Sequence, residues 1–257
     1  MPKKNSRYGH LGTLWKQSRP QNRKATCYTT NCSARCARNH LLKQKGIINQ
    51  IEKHGHVREL RTDRFQEHRH YYSFKRIGWE KAMAMYGYCS NCDHRLFSNI
   101  EVPEPVVPET TSDFCRYSLR PIAHEIRKKE GNLKFFASCD GKGEVFINRR
   151  GEYQLTRLKS AEFEIVGLKA LLADFTEGLV RKIPVTFTVR ELPRIEICAS
   201  SLLIPPTALH IKKEHLVDAS KSFRGHSFSI MNLFPTNSAS VLIVGTHNYA
   251  SRESHDL

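Results

Sequence analysis

Two short cysteine pairs decide how the first part of this chain folds: Cys27-Tyr-Thr-Thr-Asn-Cys32 and Cys89-Ser-Asn-Cys92. Zinc prefers four soft ligands at the corners of a tetrahedron, and two pairs of closely spaced cysteines supply them at a small loss of chain entropy. The sequence therefore predicts a structural Zn²⁺ bound by Cys27, Cys32, Cys89 and Cys92. Cys36 is an alternative to Cys27 or Cys32 as a ligand.

The residues around the second pair predict how the metal site is built. Residues 33–88 separate the pairs, which is too much chain for a compact finger, so further elements must lie between them. Leu96, Phe97 and Ile100 recur at helical spacing and predict a helix that begins at the second pair. A knuckle followed by ligands at a helix start is the treble-clef arrangement. A structural zinc contributes roughly 10–16 kcal/mol to the folding of such small modules, so we expect a zinc-stabilised treble-clef-like domain over residues 26–101.

Two further helices are predicted inside this module. Apolar residues at positions 41, 42, 47, 48 and 51 suit one helical face, and Gly55 follows as a stop. The segment Trp79–Tyr86 is rich in Ala and Met, which favour a helix, and Gly87 ends it.

Positive charge is concentrated in the same part of the chain. The 257 residues include 41 Lys and Arg against 25 Asp and Glu, a formal charge of +16. Residues 1–100 carry 20 of these basic and six of these acidic side chains, a net +14, whereas residues 101–257 carry +2. A basic block attracts polyanions because binding releases their counterions, and nucleic acid is the usual polyanion. No amphipathic helix accompanies the charge, so a membrane surface is not expected.

Basic residues interleaved with aromatic residues favour contacts with phosphates and stacking on bases. A solvated charged loop is the alternative interpretation of the same residues. The candidate nucleic-acid-binding residues are Arg23, Lys24, Arg35, Arg38, Arg61, Arg64, Arg69, Tyr71, Lys75 and Arg76.

The composition divides the chain into four parts. Residues 1–25 are polar and basic, and we interpret them as an arm that precedes the zinc domain of residues 26–101. The segment 102–112 contains three prolines, which cannot continue a helix, and is interpreted as an extended linker. Residues 113–257 follow as a second domain.

The second domain is predicted to be α+β with a mostly antiparallel sheet. A helix capped by Ser112 or Asp113 is expected to end near Gly131, with Pro121 either kinking it or shifting its start, and a second helix is expected to end near Gly178. No chemistry is assigned to this domain; dimerisation, binding of a protein partner and sensing of a ligand are all compatible with it. Segments that predict strands lie at residues 185–189, 194–199, 228–234 and 241–244.

The residues Cys27…Cys32…Asn39-His40 and Cys89-x2-Cys92-Asp93 resemble the HNH-type treble-clef nucleases. They are also similar to uncharacterised bacterial proteins with a C…C…(S/N)H…C-x2-(C/H)-D layout. The resemblance covers residues 27–101. It implies that His40 is a general base and that Asp93 or His94 binds a catalytic Mg²⁺ or Mn²⁺, while zinc holds the unit together.

The leading functional hypothesis is nucleic-acid binding, to DNA or RNA, by the basic zinc module. An HNH-like metal-dependent endonuclease of a bacterial defence system or mobile element is the alternative. A zinc scaffold that binds an acidic protein partner is the second alternative. No apolar run approaches the ~18–20 residues that cross a bilayer, and no apolar segment follows the basic start as in a secretory signal. We therefore expect no membrane association and a cytoplasmic location, where thiols stay reduced.

Overall fold

The computed structural model describes residues 25–63, 71–103, 105–140, 151–203 and 227–248, together with Thr13 and Gln17. These residues form helices and antiparallel sheets, which confirms the α+β class. The candidate nucleic-acid-binding residues Arg23, Lys24, Arg64 and Arg69 and nearly all of the predicted arm lie outside the described residues.

The cysteine-rich module begins with a hairpin that carries the first cysteine pair. An antiparallel bridge joins Thr26 to Arg35. Between them, the N–H of Cys32 donates to the carbonyl oxygen of Thr29 at 3.1 Å and closes a tight turn. Asn31 takes a positive φ of 62° in this turn, a conformation that asparagine adopts more easily than most residues. The first two cysteines are therefore held on one short, hydrogen-bonded loop.

Strand pairing replaces one of the helices predicted in the module. Strand β1 (Asn39–His40) pairs antiparallel with strand β4 (Ala84–Met85). The predicted helix over residues 79–86 is therefore wrong, and only Trp79–Lys81 forms a short 3₁₀ turn. Met83 has a φ of 51°, which no α-helix accommodates. Backbone pairing with β1 outweighs the helix propensity of this Ala- and Met-rich segment.

The helix predicted over residues 41–51 is also wrong, because only Ile48–Ile51 is helical, as a 3₁₀ turn. Gly46 interrupts the segment with a φ of 103°. A side chain there would place its Cβ 2.7 Å from the carbonyl oxygen of Pro103. The apolar residues are buried nevertheless, by a turn that brings them to the core: Leu42, Ile47 and Ile48.

A two-stranded ribbon extends from the module. Strand β2 (His56–Asp63) pairs antiparallel with strand β3 (Tyr71–Gly78) along its whole length. At one end of the ribbon Val57 lies opposite Ile77 and is buried against the module. The small cluster around this end contains Ile48, Val57 and Ala82, with Ile51, Ile77, Trp79 and Met83 packed against it.

Helix α1 (Ser90–Phe97) begins at the second cysteine pair, as the apolar spacing predicted. The long helix α2 (Thr111–Asp140) starts one residue before Ser112 and two before Asp113, the two predicted caps, because Thr110 caps it. The N–H of Asp113 donates to Oγ1 of Thr110 at 3.2 Å, and the N–H of Thr110 donates to Oδ2 of Asp113 at 3.2 Å. This reciprocal capping box makes the last two residues of the predicted linker helical.

Helix α2 continues through Pro121 and past Gly131, so its predicted end is wrong. A proline in a helix removes the N–H that would bond to the carbonyl four residues earlier, here that of Tyr117. The side chain of Asn232 replaces this donor: its Nδ2 donates to the carbonyl oxygen of Tyr117 at 3.3 Å. Asn232 is fully buried, and Oγ of Ser200 donates to its Oδ1 at 2.7 Å. A residue far along the chain thus compensates for the proline.

Helix α3 (Gly151–Glu177) packs on α2 and ends next to Gly178, as predicted. A four-stranded antiparallel sheet lies against the helices. Its strands are β5 (Val185–Pro193), β6 (Ala199–Leu203), β7 (Ser227–Pro235) and β8 (Ala239–Asn248), and they lie in the order β5-β8-β7-β6. The predicted strand over residues 194–199 is wrong except for its last residue, because the strand there runs from Ala199.

One hydrophobic cluster includes residues from both sides of the proline-rich segment. Phe97 and Tyr88 of the cysteine-rich module belong to it, and so do Phe114 and Ile122 of α2 and Phe228 of the sheet. Oη of Tyr88 also donates to the carbonyl oxygen of Leu119 at 3.3 Å. The division of the chain into two domains at residues 102–112 stays a prediction, but the described parts on either side share a core.

Candidate metal centre

The four cysteines predicted as ligands come together. The Sγ atoms of Cys27, Cys32, Cys89 and Cys92 all lie within 4.8 Å of one another, and the Cys32 and Cys89 sulfurs are 3.8 Å apart. A tetrahedral zinc site with Zn–S bonds of about 2.3 Å requires sulfurs about 3.8 Å apart. All four are free thiols, so no disulfide competes for them. In the described part of the chain, no other group of three or more His, Cys, Asp or Glu side chains converges in this way.

Two local structures, a hairpin turn and a helix start, place the four thiols around one point. The hairpin turn presents Cys27 and Cys32, while the first turn of α1 presents Cys89 and Cys92. Cys89 caps α1: the N–H of Cys92 donates to its Sγ at 3.4 Å and lowers the pKa of the Cys89 thiol to about 7. A helix N-terminus favours a negative charge, so α1 stabilises the thiolate that a metal requires.

Cys36, the alternative ligand, does not belong to this group. It is buried, and its thiol donates to the carbonyl oxygen of Thr26 at 3.2 Å. Burial raises the pKa of the Cys36 thiol to about 11. A neutral thiol engaged with the backbone of the hairpin supports the turn instead of supplying a thiolate.

Arg127 of α2 contacts several groups of the hairpin that carries the first cysteine pair. Its guanidinium lies 4.2 Å from the ring centroid of Tyr28, and its Nη2 donates to the carbonyl oxygen of Thr26 at 3.1 Å and to Sγ of Cys36 at 3.7 Å. Its Nη1 donates to Glu130 at 2.7 Å, and Glu130 also accepts from the hydroxyl of Tyr28 at 3.0 Å. One arginine therefore fixes the loop that carries the first cysteine pair.

Arg120, two helical turns before Arg127, supports α1 in the same way. Its Nη2 donates to Oδ2 of Asp93 at 2.9 Å and to Oε1 of Glu101 at 2.7 Å, and its guanidinium lies 4.0 Å from the ring centroid of Phe97. The Arg120 side chain is only 4% exposed. Burial raises the pKa of the Asp93 carboxyl, and the neighbouring Arg120 opposes that shift.

The resemblance to HNH-type nucleases implies three catalytic residues, and the structure places them in three different environments. His40 is half-buried on β1 with its Nε2 3.1 Å from the carbonyl oxygen of Glu80. Burial lowers the pKa of His40, so the ring is neutral at pH 7 and Nε2–H is the donor to that carbonyl. Asp93 is engaged by Arg120, and His94 is exposed on α1. They do not form a second group of metal ligands.

The candidate nucleic-acid-binding residues within the described ranges lie on the hairpin and on the ribbon. Arg35 and Arg38 are exposed, and Nη2 of Arg38 donates to the carbonyl oxygen of Glu80. Lys75 and Arg76 are exposed on β3. The backbones of Arg61 and Tyr71 pair in the ribbon with Ser73 and Asp63 respectively.

No family model, curated protein or solved structure matches this chain. The likeness to HNH-type nucleases therefore rests on the cysteine, histidine and aspartate residues alone. None of the helices within the described ranges is long and apolar enough to cross a membrane.

Sequence patterns did not identify Arg120 and Arg127 as part of the site. The sequence carries no clear signal for them, because the same helical face also holds Arg116, His124 and Glu130 and is not an apolar stripe. Arginine is rarely buried unless it is paired. The carboxylates that pair with Arg120 belong to Asp93 and Glu101, which only the fold brings against α2.

Proposed function

We propose that residues 26–101 form a treble-clef-like module that is stabilised by zinc and binds nucleic acid. The observation that carries the proposal is the group of four converging thiols inside a strongly basic segment. The thiols supply a metal site, and the charge supplies an attraction for phosphates.

The chemistry of the ligands favours zinc. Four thiolates are soft ligands, and tetrahedral four-sulfur sites are typical of Zn²⁺ and of iron–sulfur centres. One Zn²⁺ with four thiolates carries a net charge of about −2, which neighbouring cations stabilise. Nη2 of Arg95 donates to Sγ of Cys92 at 3.8 Å and supplies one such charge. The order of elements, a cysteine hairpin, a pair of short strands and a helix bearing the second cysteine pair, agrees with a treble clef.

Two contacts favour binding over an HNH-like nuclease. Nε2 of His40 donates to the carbonyl oxygen of Glu80, so this nitrogen is not a base aimed at a water molecule. The carboxylate of Asp93 accepts two hydrogen bonds from Arg120, which occupy the oxygens that a catalytic Mg²⁺ would need. Both residues have structural roles that account for their positions.

The salt dependence of binding tests the proposal. We expect the full-length protein to bind labelled DNA or RNA with an affinity that falls steeply between about 50 and 200 mM salt, because each neutralised phosphate releases counterions. Fluorescence anisotropy across a salt series measures the slope. A weak affinity that does not change with salt would contradict nucleic-acid binding.

The metal is tested separately by elemental analysis of the purified protein. We expect one zinc per chain, and loss of that zinc when Cys32 is replaced by serine. Cys198→Ser is the matched control, because Cys198 is a free thiol outside the group of four. Iron in place of zinc, or zinc retained by Cys32→Ser, would contradict the assignment.

A further inference from the structure

The β2–β3 ribbon has one face that the described residues of the protein leave exposed. Along β2 and β3 alternate residues lie on opposite faces, and the register pairs Arg58 with Arg76 and Leu60 with Phe74. We call these four residues the ribbon face. Leu60 is 54% exposed and Phe74 is 69% exposed, and both arginines are exposed. The opposite face carries Val57, which is buried against the module.

The composition of the ribbon face is unfavourable for the isolated protein in two ways. Like charges directly opposite each other in an antiparallel pair are destabilising, and Arg58 lies opposite Arg76. The neighbouring pair, Leu60 and Phe74, exposes two large apolar side chains to water. Positions at which a sequence departs from these local rules are expected to be functional. A ligand with anionic groups would reduce the repulsion between the two arginines, and a planar part of the same ligand would cover the two apolar side chains.

We propose that the ribbon face binds single-stranded nucleic acid, which deepens and rests on the proposed function. Arg58 and Arg76 contact backbone phosphates, and Phe74 stacks on an unpaired base next to Leu60. Aromatic side chains beside a cationic track are how proteins bind single strands without reading their sequence. A duplex keeps its base faces stacked inside, so Phe74 would have no base to contact. A two-stranded ribbon can also enter the major groove, where arginines read base edges, but the exposed Leu60 and Phe74 would then lie against polar base edges instead of a base plane.

The experiment measures anisotropy of labelled oligonucleotides of about 20 residues, longer than the ~4–16 nucleotides that one such site covers. Full-length protein is titrated with single-stranded DNA, single-stranded RNA and a DNA duplex. Phe74→Ala is expected to weaken single-strand binding about 5- to 150-fold, the range for loss of one stacked base, and to leave duplex binding unchanged. Val180→Ala is its control, because Val180 is an apolar residue in the turn after α3 and is 84% exposed.

A matched pair of arginines tests the face itself. Arg76 belongs to the ribbon face, whereas Arg190 lies on β5 of the large sheet. Both are exposed. We expect Arg76→Gln to weaken single-strand binding and to reduce the salt slope by about 0.7, the value for one phosphate contact of a single strand. Arg190→Gln is expected to change neither. Equal effects of the two substitutions would overturn the assignment of the face.

Phe74→Trp shows whether loss of binding reflects stacking or a damaged fold. A tryptophan preserves the stacking surface, so we expect wild-type affinity and quenching of its fluorescence by single strands. If the wild-type protein binds single strands but Phe74→Ala binds them equally well, the ribbon face is not the site and the proposed function stands. If the wild-type protein binds no nucleic acid, the proposed function fails, and the inference with it. Preference for duplex that Phe74→Ala leaves unchanged overturns the single-strand assignment alone.

Discussion

The cysteine-rich module and the helix–sheet region differ in their charge and in the kinds of side chain that they bring together. Residues 1–100 carry a net charge of +14 and, where the structure describes them, include the group of four thiols, whereas residues 101–257 carry +2 and supply most of the shared apolar core. The positive charges of the first region repel one another, and its four thiols could hold a metal such as zinc that would stabilise it. The second buries large side chains such as Phe114, Phe175 and Phe228 completely. Arg120 and Arg127 of α2 join the two regions by reaching from the apolar core into the polar module.

Removal of the metal is expected to have the largest effect on the difference between the two regions. If the four thiols hold a structural zinc, we expect a zinc chelator to unfold the module selectively, because such a metal contributes about 10 kcal/mol or more to the folding of small modules. Amide hydrogen exchange should rise across residues 25–101 while α2 and β7 keep most of their protection.

The control for chelation is the same treatment followed by added Zn²⁺, which should restore the slow exchange. Equal loss of protection in the module and in the sheet would mean that the two regions unfold as one unit. Exchange that the chelator does not change anywhere would mean that the thiols hold no metal.

Replacement of Arg120 tests the contacts between the two regions. Arg120→Leu leaves the partly buried Asp93 carboxylate without its cation, and the loss of one partner of a buried pair typically costs about 3–5 kcal/mol. Thermal or urea unfolding measures the loss in the free energy of unfolding. Arg116→Leu is the control, one turn earlier on the same helix, where the side chain is 17% exposed and pairs with Asp113.

The Asp93→Asn variant extends this test. Combined with Arg120→Leu it removes both charges, so we expect the double variant to regain much of the stability that Arg120→Leu loses. Additive losses in the two single variants would show that Arg120 acts through its other partners, Glu101 and the ring of Phe97.

The smallest expected change in the free energy of unfolding comes from one methyl group added to the apolar region. A Cβ at Gly245 of β8 would lie 2.2 Å from the ring of Phe114, so Gly245→Ala forces the sheet and α2 apart. Overpacking of this kind costs about 1–3 kcal/mol. Gly78→Ala is the control in the ribbon, where the nearest atom would lie at 3.9 Å. The Gly245 substitution should lower the melting temperature without changing the zinc content, and a loss of zinc would show that the core also shapes the metal site.

The sequence predicted the parts of this molecule that depend on near neighbours. The spacing of Leu96, Phe97 and Ile100 predicted α1, and alternation predicted most of the large sheet. The pairing of the cysteines followed from their chemistry. Predictions were wrong where distant residues intervene: β1 pairs with residues expected to be helical, and Asn232 replaces the hydrogen bond that Pro121 removes.

Residue types and their spacing were enough to predict two cysteine pairs, the positive charge that accompanies them and an α+β region after them. The fold was needed to show that Cys36 is left out of the group, that Arg120 and Arg127 support both cysteine pairs, and that Arg58 and Phe74 share one face that the described residues leave exposed. These outcomes differ in the sequence separation of the residues that cause them. Ligand type, charge and periodicity act between residues close in sequence, whereas buried ion pairs and strand register depend on which distant segments meet.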